Sequence, residues 1–252
     1  MSLMAHLAEL RHRLIICLGA FTLAALVIYI RYPAVLTFLE HPYCATVGPR
    51  QACSLYVTGP LDGFAIRLNV TAYGGLILGS PVLLFELWRF VTPGLKANER
   101  RYAIPFVLAT SALFVSGAAV AWLTFPHALG FLHAVGGPGI RDIFAPGQYL
   151  GLIMALMAIF GLSFEFPVVL VALELAHVVT PAMLSRARRI AIICIVVISG
   201  AVTPSSDPFS MLAMAVPMLA FYELSILVGK LLVRGESRRR SLLSDPRSAV
   251  AP

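Results

Sequence analysis

The sequence has 252 residues, of which 59% are hydrophobic and 12% charged, whereas about 25% are charged in an average globular domain. A water-soluble fold of this length could not bury so much apolar surface, and a disordered chain would be far more polar. The net charge of +7 comes from basic residues that separate apolar runs, which argues against a nucleic-acid-binding face. The composition indicates an integral membrane protein.

Six uncharged or nearly uncharged runs predict six transmembrane helices and an all-α integral membrane protein. A 30 Å hydrocarbon core needs about 20 helical residues, so a fifth run of 13 residues is too short to cross it fully. We expect helices five and six to form a short hairpin joined by a tight turn. The runs are Leu14–Ile30, the stretch between Arg67 and Glu86, Tyr102–Pro126, Tyr149–Leu173, Ile190–Val202 and Pro208–Val228.

The distribution of Lys and Arg orients the predicted helices, because cytoplasmic loops carry an excess of these residues. Fifteen of the 19 precede the first helix, lie between helices two and three or four and five, or follow the sixth. Both termini are therefore predicted to be cytoplasmic. The segment after Gly235 is polar and rich in Ser, Arg and Pro. We expect one membrane domain over residues 1–234 and a disordered basic tail over 235–252.

The four cysteines do not form a disulfide scaffold. Cys17 and Cys194 lie inside apolar runs, where we expect small core residues. Cys44 and Cys53 share the loop predicted to face outward, and an oxidising compartment would allow them to form a disulfide. Their spacing matches no zinc site, and the sequence lacks the common nucleophile, metalloprotease and phosphate-binding motifs. We predict no enzymatic activity, no cofactor and no metal.

The first candidate acid is Glu9, in HLAELRHRL. Arg13 follows it by four residues, and this spacing also fits a simple ion pair that supports the helix. Leucines recur at helical spacing in the same segment, which predicts a helix lying on the inner membrane surface before the first span.

A second candidate, Glu99, lies in FELWRFVTPGLKANERR, after two aromatic residues, Trp88 and Phe90. Aromatic residues are common at membrane interfaces, so this stretch also fits a connecting loop with membrane anchors. The functional interpretation pairs Glu99 with Glu9 as an acidic site for a basic peptide, since each guanidinium binds a carboxylate bidentately.

The third candidate, Glu165, lies within the predicted fourth helix, where an isolated charged carboxylate costs about 3 kcal/mol or more. Pro167 deprives the carbonyl of Ser163 of its helical partner, so we expect a kink here. A polar side chain at a kink usually faces a bundle interior or a wet groove, which favours a functional role. Beyond the fifth helix, Asp207 and Pro208 predict the start of the sixth through an N-cap.

Together these segments resemble the TatC family, the multi-spanning C subunit of the twin-arginine protein translocase. The departures are Asn69, where many relatives carry Lys, Glu86, where Gln is frequent, and the two residues between Pro204 and Asp207, where some relatives have one. The matching motifs stand in family order along nearly the whole chain: HLAELRHRL, GPLDGFAIRLNV, SPVLLFELWRFVTPGLKANERR, FGLSFEFPVVLV and TPSSDPFSMLAMAVPMLAFYELSI.

The resemblance implies a concave cup of six helices in the bacterial cytoplasmic membrane that binds the twin-arginine signal peptides of folded proteins. It also implies oligomerisation, TatA- and TatB-type single-span partners, and transport driven by the proton motive force. By motif position, the signal-peptide site comprises Glu9, Arg11, Phe90 and Glu99. The intramembrane and partner-coupling positions are Glu165, Thr203, Pro204 and Asp207.

The alternative function is a proton-coupled transporter of small solutes, with Glu165 as the proton carrier. It predicts inverted repeats, and the sequence shows no internal repeat of the kind that marks such transporters.

Overall fold

The computed structural model describes residues 3–47, 59–91, 103–136, 145–175, 178–204 and 207–243, and all regular structure within these ranges is α-helical. The described ranges contain eight helices. They are α1 (Leu3–Ile30), α2 (Tyr32–Val47), α3 (Asp62–Val91), α4 (Ala103–Gly136), α5 (Pro146–Ser163), α6 (Phe166–Leu175), α7 (Pro181–Val202) and α8 (Pro208–Leu243).

Five segments in the described part of the chain are long and apolar enough to cross a membrane. They match predicted helices one, two, three, four and six, as Leu7–Ile30, Asp62–Arg89, Val107–Val135, Pro146–Glu174 and Pro208–Leu231. The predicted fifth helix is the second half of α7, whose first half carries Arg186, Arg188 and Arg189. The described residues are therefore helical, with five segments long and apolar enough to span a membrane, and the sixth span stays a prediction.

The prediction that the sixth helix is short is wrong. Its apolar segment, Pro208–Leu231, has 24 residues, about 36 Å of helix. α8 itself has 36 residues and continues past the predicted domain boundary at residue 234 to Leu243. Residues 235–243 are rich in Leu and Arg, which favour helix, and contain no proline. Residues 244–252 lie outside the described residues, and a disordered tail there stays a prediction.

Two further local expectations need correction. The N-terminal segment does not form a separate surface helix, because α1 is one continuous helix of 28 residues. The segment after Arg31, predicted to be a loop, is helix α2; its 16 residues are too few to be predicted as a span from hydropathy. Its apolar side packs on the core through Leu39, whose carbonyl accepts a hydrogen bond of 2.8 Å from the Tyr149 hydroxyl.

The kink predicted in the fourth helix is confirmed. α5 ends at Ser163, residues Phe164 and Glu165 form a turn, and α6 begins at Phe166 with Pro167 in its first turn. The amide of Glu165 donates to the carbonyl of Leu162 at 3.1 Å, a tighter contact than the α-helical pattern. Proline has no N–H to donate the next bond of the ladder, so the α-helical pattern is interrupted here.

The bundle has α1 at one edge and α7 at the other. α1 packs mainly on α3, α7 packs on α8, and α4 and α5 lie between. Glycine permits the α1–α3 approach, since a Cβ at Gly75 would lie 2.8 Å from the Cβ of Ala25. The main core includes Val70, Phe125, Phe160 and Met214, all fully buried.

Cys44 is disulfide-bonded, while Cys17 and Cys194 are free. The predicted partner, Cys53, lies outside the described residues, so the Cys44–Cys53 pairing stays a prediction.

Candidate functional site

The first turns of α1 meet the last turns of α3 at a charged contact, named here the Glu9–Arg13–Glu86 cluster. Arg13 Nη2 forms an ion pair with Glu9 Oε1, which confirms the predicted pairing along α1. Arg13 Nη1 donates a hydrogen bond of 3.1 Å to Glu86 Oε2 on α3. A second arginine approaches from the same helix, with Arg89 Nη1 4.0 Å from Glu86 Oε1. One guanidinium therefore joins carboxylates from two helices.

Burial explains why this cluster forms. Glu86 is only 5% exposed, and a buried carboxylate needs a charged or hydrogen-bonding partner to offset its lost hydration. Arg13 supplies that partner across the α1–α3 contact. The planar guanidinium presents several N–H groups at fixed angles, so it can bind two carboxylates at once. At this end of the bundle, Glu9 and Glu86 together bind one guanidinium.

Glu86 is a candidate site residue that sequence reasoning missed. It was noted only as a departure from the family pattern, although an acid within the apolar run LLFELW is itself a signal of a buried partner. Neighbouring Trp88 is buried in the bundle, and its predicted depth at the membrane interface stays a prediction. Trp88 is 8% exposed and packs with Leu84, Phe114 and Val168, because burying the large indole stabilises the core.

The remaining predicted signal-peptide residues lie at or beyond the ends of these helices. Arg11 is exposed on α1. The backbone of Phe90 belongs to the last turn of α3, whereas its side chain lies outside the described residues, as does all of Glu99. The convergence of Glu9 and Glu99 therefore stays a prediction, while Glu9 and Glu86 do converge.

A second feature, named here the Glu165 groove, is a cavity of about 460 Å³ among α3, α5, α6, α7 and α8. Glu165 is 5% exposed, and neither of its carboxylate oxygens has a hydrogen-bond partner among the described residues. It lies at the kink, and its position in the groove agrees with the expectation from the sequence. The other lining residues are Leu84, Leu87, Trp88, Leu162, Ser163, Phe166, Val169, Ala191, Cys194, Ile195, Ile198 and Met218.

Cys194 was expected to be a core residue, and this is wrong. Its side chain is exposed and lines the Glu165 groove. α7 packs almost entirely on α8, so a residue on another face of α7 has no neighbour to cover it. An uncharged run shows that a helix is apolar but not which side is covered.

α3 connects the cluster to the groove. Leu84, Leu87 and Trp88 line the groove, while Glu86 faces Arg13 of α1. Successive helical residues are about 100° apart, so Glu86 lies about 160° around the helix from Leu84 and Trp88 and about 100° from Leu87. The charged cluster and the apolar cavity are two faces of the same end of one helix.

The turn between α7 and α8 holds three predicted residues. Asp207 is 1% exposed, and its Oδ1 accepts a hydrogen bond of 2.7 Å from the amide of Ser210, which confirms the predicted N-cap of α8. Thr203 donates through Oγ1 to the carbonyl of Ser199 at 2.8 Å. Pro204 is exposed. The buried polar groups of Thr203 and Asp207 stabilise the turn, and of these three residues Pro204 is the exposed one.

The five apolar spans, the buried ion cluster and the acid in an apolar groove define a multi-spanning α-helical membrane protein. Residues 5–217 match the family described as Sec-independent protein translocase protein (TatC), and the chain belongs to that family. The family serves Sec-independent protein translocation, which identifies this chain as a protein translocase component.

Individual relatives agree with this assignment. The TatC protein of Frankia casuarinae is 40% identical over 248 residues, covering 95% of this chain and 68% of the relative. The TatC protein of Aquifex aeolicus is 34% identical, covering 93% of this chain and 97% of the relative. A crystal structure described as "Twin Arginine Translocase Receptor- TatC in DDM" has a TM-score of 0.74 and 32% identity, covering 89% of this chain and 99% of that one.

Proposed function

We propose that this chain is the signal-peptide receptor of a twin-arginine translocase in a bacterial cytoplasmic membrane. In this proposal both termini are cytoplasmic, and the chain binds the twin-arginine signal peptides of folded proteins. It then assembles as an oligomer with TatA- and TatB-type single-span subunits for export driven by the proton motive force. The family assignment and the related structure described as a translocase receptor support this role.

The observation that carries the proposal is the Glu9–Arg13–Glu86 cluster. Carboxylates from α1 and α3 bind one guanidinium from two sides, at 3.1 Å for the Glu86 contact. A signal peptide with adjacent arginines presents the same chemical group. We propose that Glu9, Arg11, Phe90 and Glu99 form the surrounding site.

The Glu165 groove suits the apolar stretch that follows the arginines of a signal peptide. Its lining is apolar apart from Glu165, Ser163 and Cys194, and α3 contributes to both the cluster and the groove. A peptide bound at Glu86 can therefore continue around the end of α3 into the groove. We propose that Glu165 contacts the peptide or a partner helix there, since a lone buried carboxylate is costly to retain.

The outer edge of α7 suits a single-span partner. Ile190, Ile193 and Val197 are all more than 60% exposed and follow one another at helical spacing. We propose that a TatA- or TatB-type helix packs on this edge near Thr203, Pro204 and Asp207. In the same orientation, the segment after α2 faces an oxidising compartment, which supports the Cys44–Cys53 disulfide.

Photo-crosslinking tests the receptor function. A photoreactive residue at Phe90 or Glu99 should form an adduct with a twin-arginine signal peptide, and replacing Arg-Arg by Lys-Lys should abolish it, because Lys lacks the planar fork. A probe at Phe64 is the matched control, since it is 64% exposed at the opposite end of the same helix; it should give no adduct. An adduct that survives Lys-Lys would contradict the proposal.

The alternative of a proton-coupled solute transporter is less well supported. The structural argument for it is the buried carboxylate of Glu165, and a receptor that couples to partner helices needs such a group equally. Membership of a protein translocase family favours the receptor.

A further inference from the structure

We infer that Arg13 is an internal ligand that occupies the binding site of a signal-peptide arginine, and that Glu86 is an acceptor in that site. The inference rests on the proposed receptor function and deepens it. In the free protein Arg13 holds the two carboxylates together, and an incoming arginine displaces it.

The geometry of the Glu9–Arg13–Glu86 cluster supports an exchange. Arg13 uses two different nitrogens, Nη2 for Glu9 and Nη1 for Glu86, so its guanidinium bridges the carboxylates as a bound ligand would. An external guanidinium of the same shape can make the same two contacts. A lysine ammonium is a compact point charge without this fork, so the site prefers arginine.

Charge balance makes the exchange feasible. Removing the partner of a buried carboxylate is strongly unfavourable when no other charge is near. Here Arg89 Nη1 lies 4.0 Å from the second oxygen of Glu86, so Glu86 keeps a cation while Arg13 moves away. One guanidinium leaves as another arrives, and the net charge of the site is unchanged.

Accessibility also fits an exchange. The side chain of Glu9 is 29% exposed and that of Arg89 is 61% exposed, whereas those of Arg13 and Glu86 are 12% and 6% exposed. The cluster is thus open to a ligand from the Glu9 side and closed behind Glu86. A peptide arginine can engage Glu9 first and then replace Arg13 at Glu86.

Equilibrium binding of a fluorescent peptide with two adjacent arginines to the full chain in detergent micelles tests the inference. Arg13→Gln removes the competitor, and we expect binding about tenfold tighter, the change produced by one charge-assisted hydrogen bond. Adding Glu86→Gln to this variant should weaken binding about tenfold. Arg188→Gln is the matched control, because Arg188 pairs with Glu223 at 2.7 Å away from the cluster; it should bind like wild type.

Two outcomes would overturn the inference. Arg13→Gln that binds equally or more weakly would make Arg13 a structural brace. Glu86→Gln without effect in the Arg13→Gln background would make Glu86 only a partner of Arg13. Should Arg13→Gln fail to fold, Arg13→Lys keeps the charge but cannot bridge both carboxylates, and it should still bind more tightly than wild type. Binding of the wild-type chain that does not distinguish Arg-Arg from Lys-Lys would instead refute the receptor function itself.

Discussion

The contact between Gly117 of α4 and the backbone of α5 determines how closely the kinked span approaches its neighbour. A Cβ at residue 117 would lie 2.6 Å from the carbonyl oxygen of Phe160, about 0.8 Å inside the 3.4 Å at which ordinary contact begins. The same Cβ would lie 2.9 Å from Phe164 Cγ, next to Glu165. Backbone cannot rotate away as a side chain can, so Gly117→Ala must push α5 from α4.

We expect Gly117→Ala to lower the free energy of unfolding by about 1–3 kcal/mol, the usual cost of overpacking. Gly130→Ala on the same helix is the control, because a Cβ there meets nothing within 4 Å; it should be neutral or stabilising by up to about 1 kcal/mol through helix propensity. SDS titration in mixed micelles, followed by tryptophan fluorescence, measures both. If the two variants unfold at the same SDS fraction, the close α4–α5 approach is wrong.

Three further predictions concern the groove and the turn before α8. Glu165→Gln should retain signal-peptide binding but impair export, with the exposed Glu223→Gln as control; normal export by the first variant would refute a role for Glu165. Asp207→Ala should lower the free energy of unfolding by about 0.5–2 kcal/mol and Asp207→Asn much less, because asparagine can still accept from the Ser210 amide; equal losses in SDS titration would contradict the capping assignment. Cys194 should react with a membrane-permeant maleimide, since its side chain is exposed in the groove, and saturating signal peptide should slow the reaction; an unchanged rate would place the peptide elsewhere.

The features that depend on neighbours in the chain were predictable from sequence. The interruption between α5 and α6 follows from the missing N–H of Pro167. The N-cap of α8 follows from Asp207 before Pro208. The pairing of Glu9 with Arg13 follows from their spacing of four residues. Helix ends outside the membrane were not predictable in this way, because hydropathy identifies where a chain can leave water but not where a helix stops. α2 and the extension of α8 both belong to this second group.

The candidate site was only partly predictable, because its main contact joins residues 73 positions apart. Glu9 was identified from its local pattern, whereas the closer partner of Glu86 is Arg13 on another helix, and its local neighbour Arg89 lies 4.0 Å away. That closer partner became evident only once α1 lay against α3. Cys194 shows the same limit, since the side of α7 left uncovered depends on where α8 packs.

In the proposed receptor, the position of Glu86 explains how one site can bind both the arginines and the apolar stretch of a signal peptide. The acid and the groove residues Leu84 and Leu87 belong to the same helical turn of α3. Displacing Arg13 from Glu86 removes one of the charged contacts between α1 and α3, and any movement of α3 that follows is transmitted to the wall of the Glu165 groove because a helix moves as a rigid unit. A peptide with arginines but no apolar stretch would release Arg13 without filling the groove, and an apolar peptide without arginines would leave Arg13 in place. In the proposed receptor, only a ligand with both features would engage both faces of α3, so the two parts of the signal would be recognised together at the end of this helix.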